Sequence, residues 1–483
     1  MDIHITLHGQ TDLSGQIYRQ LRAGIADGRL VAGERLPSTR DLAGQLGVSR
    51  KTTLDVFERL QSEGFLDTRA GDGTFVAAGL QRSPASLAVV QQARPTAQWE
   101  ALPAALSMPR PGATPAMDFM GGVTDKAQFP FEPWRRCLNH ALRLQARERG
   151  AYHDPAGEQA LRLGVSRYLA FSRAVASNWQ DVIITHGAQQ ALDLLARVLL
   201  NPGDVVVMEE PGYPPARACF TAMGARVVGV PVDAEGLRVE QLPDQARLVY
   251  VTPSHQFPLG MPLSQTRRLA LLDWAERTGA VIIEDDYDGE FRFEGRPLES
   301  LKSLDRCELV AYVGTFSKTI FPELRLGYVV PPAPLMAALL KAKQIVDWHT
   351  ASLTQAGMAR FMLDGYFAKH LRRVHKQYEI RRETLLRHLH GPLSPWFEPI
   401  VPAAGIHLTA FLKPGFTEAT VVKSAREVDV GLYGISAFYA DATPRPGVLF
   451  GYGGISAQDI DRAMAKLLFA LQESRVTPAP VVT

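Results

Sequence analysis

Val281-Ile282-Ile283-Glu284-Asp285-Asp286-Tyr287 is an apolar run that ends in three carboxylates and a phenol. A short β-branched stretch of this kind reads as a buried strand. Acids at its lip can cap a turn, but four polar residues together suggest a site. Two neighbouring segments have the same form. Leu309–Gly314 is a second predicted strand and runs into Gly314-Thr315-Phe316-Ser317-Lys318. Val182-Ile183-Ile184-Thr185 is a third, and Thr185-His186-Gly187-Ala188-Gln189 joins it to a helix over Ala188–Leu200. Val205–Met208 and Leu248–Thr252 add strands, and Leu263–Thr278 an intervening helix. Such alternation predicts an α/β domain with a mostly parallel sheet, whose ligand chemistry gathers at the carboxyl ends of the strands.

A lone lysine after a strand is ordinarily a solvated surface group, and the companions of Lys318 are what single it out. Ser317 and Arg325 flank it with a hydroxyl and a guanidinium, groups suited to phosphate. The backbone N–H groups that open the helix at Gly187-Ala188-Gln189 can hold an anion. Together these residues resemble the fold-type I aminotransferases across Asp118–Glu473. That resemblance implies a mostly parallel sheet with a smaller α+β lobe, and pyridoxal 5'-phosphate joined to Lys318 as a Schiff base. It further implies Asp285, rather than Asp286, at the pyridinium nitrogen and Tyr287 as donor to the ring hydroxyl. The phosphate would rest on Gly187, Ala188 and Gln189 with Thr315, Ser317 and Arg325. Tyr213, in Glu210-Pro211-Gly212-Tyr213, would stack on the ring. Tyr152, in Tyr152-His153-Asp154-Pro155-Ala156-Gly157, would reach the neighbouring subunit's phosphate. The chain departs from the family in two places. Where many members have Asn-Pro-x-Gly it reads Ser254-His255-Gln256-Phe257-Pro258-Leu259-Gly260, so His255 either takes over part of that role or is a core histidine. Around Gly434–Tyr439 no arginine is found to clamp a substrate carboxylate, and Arg445 is a weak stand-in.

The amino-terminal residues, 10–78, have a different organisation. Ile17, Leu21 and Ile25 share one face of a predicted helix over Gly15–Gly28. Ser38 can cap a helix Arg40–Leu46, which Gly47 ends, and Ser49 can cap a second helix Arg50–Glu63. Two short helices joined at Leu46-Gly47-Val48-Ser49 form a helix-turn-helix pattern, and Gly71-Asp72-Gly73-Thr74-Phe75-Val76 reads as the turn and return strand of a wing. Residues 1–78 hold nine Lys/Arg against ten Asp/Glu, which favours a helical docking domain. Against that, no acid lies between Asp41 and Asp55, the stretch that would face DNA. The pattern Leu36-Pro37-Ser38-x-Arg40, Gly47-Val48-Ser49-Arg50-x-Thr52 and Gly71-x-Gly73-Thr74-Phe75 resembles the winged helix of GntR-type regulators. The residues expected to meet double-stranded operator DNA are Arg35, Ser38, Arg40, Ser49, Arg50, Lys51, Thr52, Thr53, Arg69, Gly71 and Gly73.

Composition sets the frame. A chain of 483 residues with 46% apolar and 21% charged residues is ordinary for a multidomain globular protein, and a net charge of +2 means that any basic patch is local. Cys137, Cys219 and Cys307 stand far apart, fit neither a metal-ligand spacing nor a disulfide framework, and favour a reducing compartment. No metal is expected. MDIHITLHGQ lacks the charged and apolar segments of a signal peptide, and no apolar run approaches membrane-spanning length, so a cytoplasmic protein without membrane contact is expected. Residues 79–117 carry five prolines by Pro111 and read as a semi-extended linker, and the last ten residues as a frayed tail.

The two resemblances on one chain match the MocR/GabR-like subfamily of GntR regulators, as do Ser254-His255-Gln256 and Glu284-Asp285-Asp286-Tyr287-Asp288. This implies a homodimeric, pyridoxal-phosphate-dependent transcription regulator. Its effector, an amine, an amino acid or a B6 vitamer, would act on the aldimine at Lys318, shift the lobes and re-space the winged helices on DNA. The rival reading is a working aminotransferase with an appended DNA-binding domain.

Overall fold

The computed structural model describes residues 5–9, 11–78, 94–100, 102, 115–295 and 299–473. These fall into two compact units, 1–94 and 95–483. Most of the expected linker at 79–117, and the tail after Glu473, lie outside the described residues. Within the segment's described part, Ala97–Glu100 forms a single helical turn, and Met117–Asp118 pairs with Val430–Gly431 of the large unit.

The small unit consists of α1 (Leu13–Ala26), α2 (Thr39–Leu46), α3 (Arg50–Ser62) and an antiparallel hairpin of β1 (Leu66–Arg69) and β2 (Gly73–Val76). Local chemistry sets the helix ends. Ser38 Oγ accepts the Asp41 N–H at 3.2 Å, Ser49 Oγ accepts the Thr52 N–H at 3.1 Å, and Gly47 closes α2 at φ +64°. Ile17, Leu21, Leu42, Val56 and Leu60 interlock in a core that excludes water.

The large unit is built on eight strands: β3 (Ile183–Thr185), β4 (Val205–Glu210), β5 (Arg226–Asp233), β6 (Gly236–Leu237), β7 (Ala246–Val251), β8 (Val281–Asp286), β9 (Val310–Thr315) and β10 (Gly327–Val330). Their spatial order is β3-β10-β9-β8-β7-β4-β5-β6. Strands β9, β8, β7, β4 and β5 run parallel, whereas β10 is antiparallel to both its neighbours and β6 turns back on β5. Alternate side chains serve opposite faces. Val281 and Ile283 pack with α4 (Gly187–Leu199), while Ile282 packs with the helix Gln265–Thr278. A smaller lobe carries an antiparallel sheet in the order β11 (Phe397–Pro399), β12 (His407–Leu412), β14 (Gly447–Gly451) and β13 (Tyr433–Gly434), backed by the helices Tyr366–His390 and Ala457–Glu473. The mixed, mostly parallel sheet with an α+β lobe agrees with the expected fold class. Its parallel strands bring Thr185, Glu210, Val251, Asp286 and Thr315 to one edge.

Candidate functional site

In the small unit, Arg40, Ser49, Arg50 and Lys51 are exposed around the α2–α3 turn, and Thr52 is half-buried with its hydroxyl 2.8 Å from Ser49 Oγ. Thr53 does not join them. It is fully buried, and its hydroxyl donates to the carbonyls of Thr39 at 2.7 Å and Arg50 at 3.0 Å. Three positions after Arg50 the helix has turned its inner face, so Thr53 fastens α3 to α2 and leaves the DNA-facing set. At the wing, Arg35 bridges to Phe75, and the Arg69 guanidinium lies 4.6 Å from the Phe75 ring centre. Gly71 and Gly73 turn the hairpin with φ of +84° and +118°, and a Cβ on Gly73 would come 2.9 Å from Arg35 Nε.

In the large unit, strand parity separates the two aspartates. Asp286 points to one face, where Arg173 holds it at 2.7 Å and the Tyr312 hydroxyl donates to it at 2.6 Å. Asp285 points to the other. The Tyr250 hydroxyl donates to its Oδ2 at 2.7 Å, and its Oδ1 is buried with no partner. Burial pushes the Asp285 carboxyl up to about 7, while the Tyr250 hydrogen bond and the nearby Lys318 pull it the other way. Lys318 follows β9. Its Nζ donates to the Gly122 carbonyl at 3.0 Å, and a Cβ on Gly122 would come 2.4 Å from that nitrogen. Burial lowers the proton affinity of the Lys318 amine; Asp288 and Asp285 oppose that effect.

Around the lysine, Thr315 Oγ1 lies 3.0 Å from Ser317 Oγ. Arg325, at φ +51°, donates to the His186 carbonyl at 2.9 Å. Gly187 adopts φ +76°, and a Cβ there would come 2.9 Å from the Arg325 guanidinium. This close approach brings the start of α4, with Ala188 and Gln189 in its first turn and no side-chain cap from His186, next to the arginine. Tyr213 is half-buried, its ring 5.4 Å from that of Phe257, and burial pushes its phenol up to about 12. Tyr152 is far more open, 74% exposed, and stacks on Trp348 at 4.4 Å.

The Tyr287 hydroxyl, expected to donate to a ring hydroxyl, donates to the His255 carbonyl at 2.8 Å. His255 is fully buried, with Nδ1 3.0 Å from Asp288 Oδ2. Arg445 is spent on Glu398 at 2.6 Å, and Arg217 on Glu210 at 2.8 Å. Tyr250 and Asp288 were not anticipated. Asp288 stands inside a segment already singled out, but Tyr250 reads as one more core aromatic in a strand.

These residues fit pyridoxal phosphate. The unpartnered Asp285 Oδ1 suits a protonated ring nitrogen, the enclosed Lys318 amine suits a carbonyl carbon, and the Gly187–Arg325 cradle beside an uncapped helix start suits a phosphate.

The family model for aminotransferase class I and II matches residues 121–465, and the model for bacterial regulatory proteins of the gntR family matches residues 13–76. The chain is 35% identical to the probable rhizopine catabolism regulatory protein MocR of Rhizobium meliloti, over 96% of this chain and 95% of that protein. It is 30% identical to the pyridoxine biosynthesis transcriptional regulator PdxR of Corynebacterium glutamicum, over 97% and 98%. Among solved structures it is similar to kynurenine aminotransferase from Pyrococcus horikoshii, with a TM-score of 0.69 and 29% identity over 74% of this chain and 91% of that one. It is also similar to the alpha-aminoadipate aminotransferase LysN of Thermus thermophilus, solved with N-(5'-phosphopyridoxyl)-L-leucine, with a TM-score of 0.68 and 28% identity over 74% and 92%.

Proposed function

The chain belongs to the MocR-like subfamily of GntR regulators, a DNA-binding helix-turn-helix domain joined to a pyridoxal-phosphate-dependent aminotransferase-like domain, and on that premise we propose that it senses an amine at Lys318 as a cytoplasmic homodimer. Bound pyridoxal phosphate supplies an electrophilic carbon for amines and a ring that accepts electrons. The protein's own groups prepare for it. Burial favours the neutral, nucleophilic form of the Lys318 amine; Asp285 would address the ring nitrogen and Tyr213 would lie beside the ring. Thr315, Ser317, Arg325 and the first N–H groups of α4 would hold the phosphate.

The effector is an amine or a B6 vitamer rather than an ordinary α-amino acid. Arg445, the weak stand-in for the expected clamp, is paired with Glu398, and Arg217 with Glu210. Tyr152 supports the homodimer: it is exposed on its own chain, as a residue completing a second subunit's pocket would be. An effector can move the protein between two arrangements on DNA only through different affinities for them.

The reading is carried by the unpartnered, buried Asp285 oxygen near an enclosed lysine on a chain that also bears a winged helix. Borohydride reduction of the protein with pyridoxal phosphate, followed by peptide mapping, is expected to place the adduct on Lys318. Gel shifts should then find Lys318→Ala bound to operator DNA as tightly as the parent but unresponsive to amines and vitamers. An adduct elsewhere, or an unimpaired response in Lys318→Ala, refutes the proposal. The intact pocket also favours an aminotransferase that happens to carry a DNA-binding domain. Sustained conversion of an amino donor and a keto acid, without any change in DNA affinity, would establish that rival.

A further inference from the structure

The helix Tyr366–His390 carries seven Lys/Arg against two Glu. Three of the seven have partners: Arg381 pairs with Asp125, Arg382 with Glu294 and Arg387 with Asp461. The other four, Lys369, Arg372, Arg373 and Lys376, are exposed, and among the described residues none of them has an ion pair or a side-chain hydrogen bond. Positions i, i+3, i+4 and i+7 share one face of a helix, so the four cations form a row. At about 1.5 Å of rise per residue the row is roughly 10 Å long. No acid interrupts it. The nearest in sequence are Asp364, which Arg360 holds at 3.1 Å, and Glu379, beyond the last cation.

The opposite side of the helix is fixed. Phe367, Val374, Tyr378 and Leu385 are buried, and the His370 Nε2–H donates to the Thr319 carbonyl at 2.9 Å. The row therefore faces outward and cannot roll inward. Four like-charged pairs stand three or four residues apart along it, an arrangement that weakens a helix. A charged helix face is ordinarily a solvated one, with acids interleaved to relieve that repulsion. Here nothing within the chain relieves it, and the chain binds a polyanion. The winged-helix unit brings little net charge to that task, since residues 1–78 hold nine Lys/Arg against ten Asp/Glu. Neutralised phosphates nevertheless supply a large share of protein–DNA affinity.

We propose that Lys369, Arg372, Arg373 and Lys376 form a second DNA-contacting surface, carried by the large unit, which takes backbone phosphates that the winged helix does not occupy. The match is one of charge and of length. Duplex DNA carries one negative charge per roughly 1.7 Å of its axis, so a row of about 10 Å faces about six phosphates. Contacts of this kind add affinity and fix orientation without reading bases. An anionic membrane suits the row less well. A helix that lies in a lipid interface turns its apolar face to the lipid, whereas the apolar face of this helix is buried in the protein. The inference rests on DNA binding by the chain and is independent of the cofactor reading.

The test uses the full-length protein and a random-sequence duplex of about 60 base pairs, with affinity read by fluorescence anisotropy between about 50 and 200 mM salt. The variant Lys369→Gln, Arg372→Gln, Arg373→Gln, Lys376→Gln should lower the slope of log affinity against log salt by about 3, at about 0.9 per phosphate contact, and weaken binding at about 100 mM salt at least about tenfold. A control removes the same charge from scattered exposed cations on other elements: Arg167→Gln, Arg226→Gln, Lys341→Gln, Lys413→Gln. It should lower the slope by less than about 1. A fall of less than about 1 in the folded row variant, or an equal fall in the control, overturns the proposal. If the row variant fails to fold, the two double variants Lys369→Gln, Arg373→Gln and Arg372→Gln, Lys376→Gln decide the matter. Each should show about half the effect, and a fall under about 0.5 in both overturns the proposal. Unchanged DNA binding in the row variant, together with lost binding to phosphatidylserine vesicles, would assign the row to a membrane and overturn it as well. A parent that binds no duplex at about 50 mM salt would refute DNA binding by the chain itself, whereas an unchanged slope in the variant refutes this surface alone.

Discussion

Replacing Asp285 by asparagine should make the cofactor-free protein more stable at alkaline pH. The sign follows from linkage. The folded-state carboxyl is pushed up to about 7 by burial, whereas its ordinary value is 3.8. A group whose folded pKa is raised contributes stability that is complete below the unfolded value and lost as pH rises through the folded one. The window is therefore about pH 4 to 7. The shift is about 3 units, which corresponds to something on the order of 4 kcal/mol, and about 2–3 kcal/mol of it falls between pH 5 and 7. Glu209, Glu284 and Glu290 are each also pushed up to about 7 by burial, so the parent's pH profile alone is ambiguous. The difference between the parent and Asp285→Asn isolates the one group. Denaturant unfolding of cofactor-free protein at pH 5, 6, 7 and 8 should show the variant gaining on the parent across the series. Pyridoxal phosphate should close the gap by stabilising the parent, because a ring N–H then answers Oδ1. Parallel profiles for the two proteins would refute the reasoning, as would an equal gain in Asp286→Asn, whose carboxylate is already held by Arg173 and Tyr312.

Further predictions concern the small unit and the proposed dimer. Arg50→Ala should relax operator preference by roughly 1–3 kcal/mol in competition gel shifts, since side chains at the start of the second helix reach base edges. Thr53→Val should instead lower the stability of the small unit by roughly 1 kcal/mol without changing preference, because its hydroxyl serves the Thr39 and Arg50 carbonyls. Tyr152→Ala should weaken cofactor retention in equilibrium dialysis while leaving the monomer's fold unchanged. Sedimentation at micromolar concentration should find the parent dimeric, and a cofactor-bound monomer would refute the proposed sharing of the pocket.

The parts of this molecule legible from sequence are those decided by neighbours in the chain. Ser38, Gly47 and Ser49 ended helices where expected, because a cap involves only a few consecutive residues. The strand Val281–Asp286 was recognisable because β-branched residues filled it and acids closed it. Strand Gly327–Val330 was not. It runs antiparallel between β9 and β3 without the alternation of strand and helix that exposed its neighbours, and it follows the left-handed Arg325 almost at once. Thr53 shows the same limit on a smaller scale, since its distance from Arg50 looks close on paper but places it on the inner side of the helix. The pocket was legible to the extent that its groups sit at strand ends. What settles the chemistry of those groups comes from elsewhere in the chain: Tyr250 reaches Asp285 from 35 residues away, and Gly122 reaches Lys318 from 196. The phenol of Tyr287 illustrates the consequence. Which way its proton points depends on the His255 carbonyl, and the ring of that histidine is held by Asp288 and packed against Gly260 and Gly405, a convergence that only the folded chain creates.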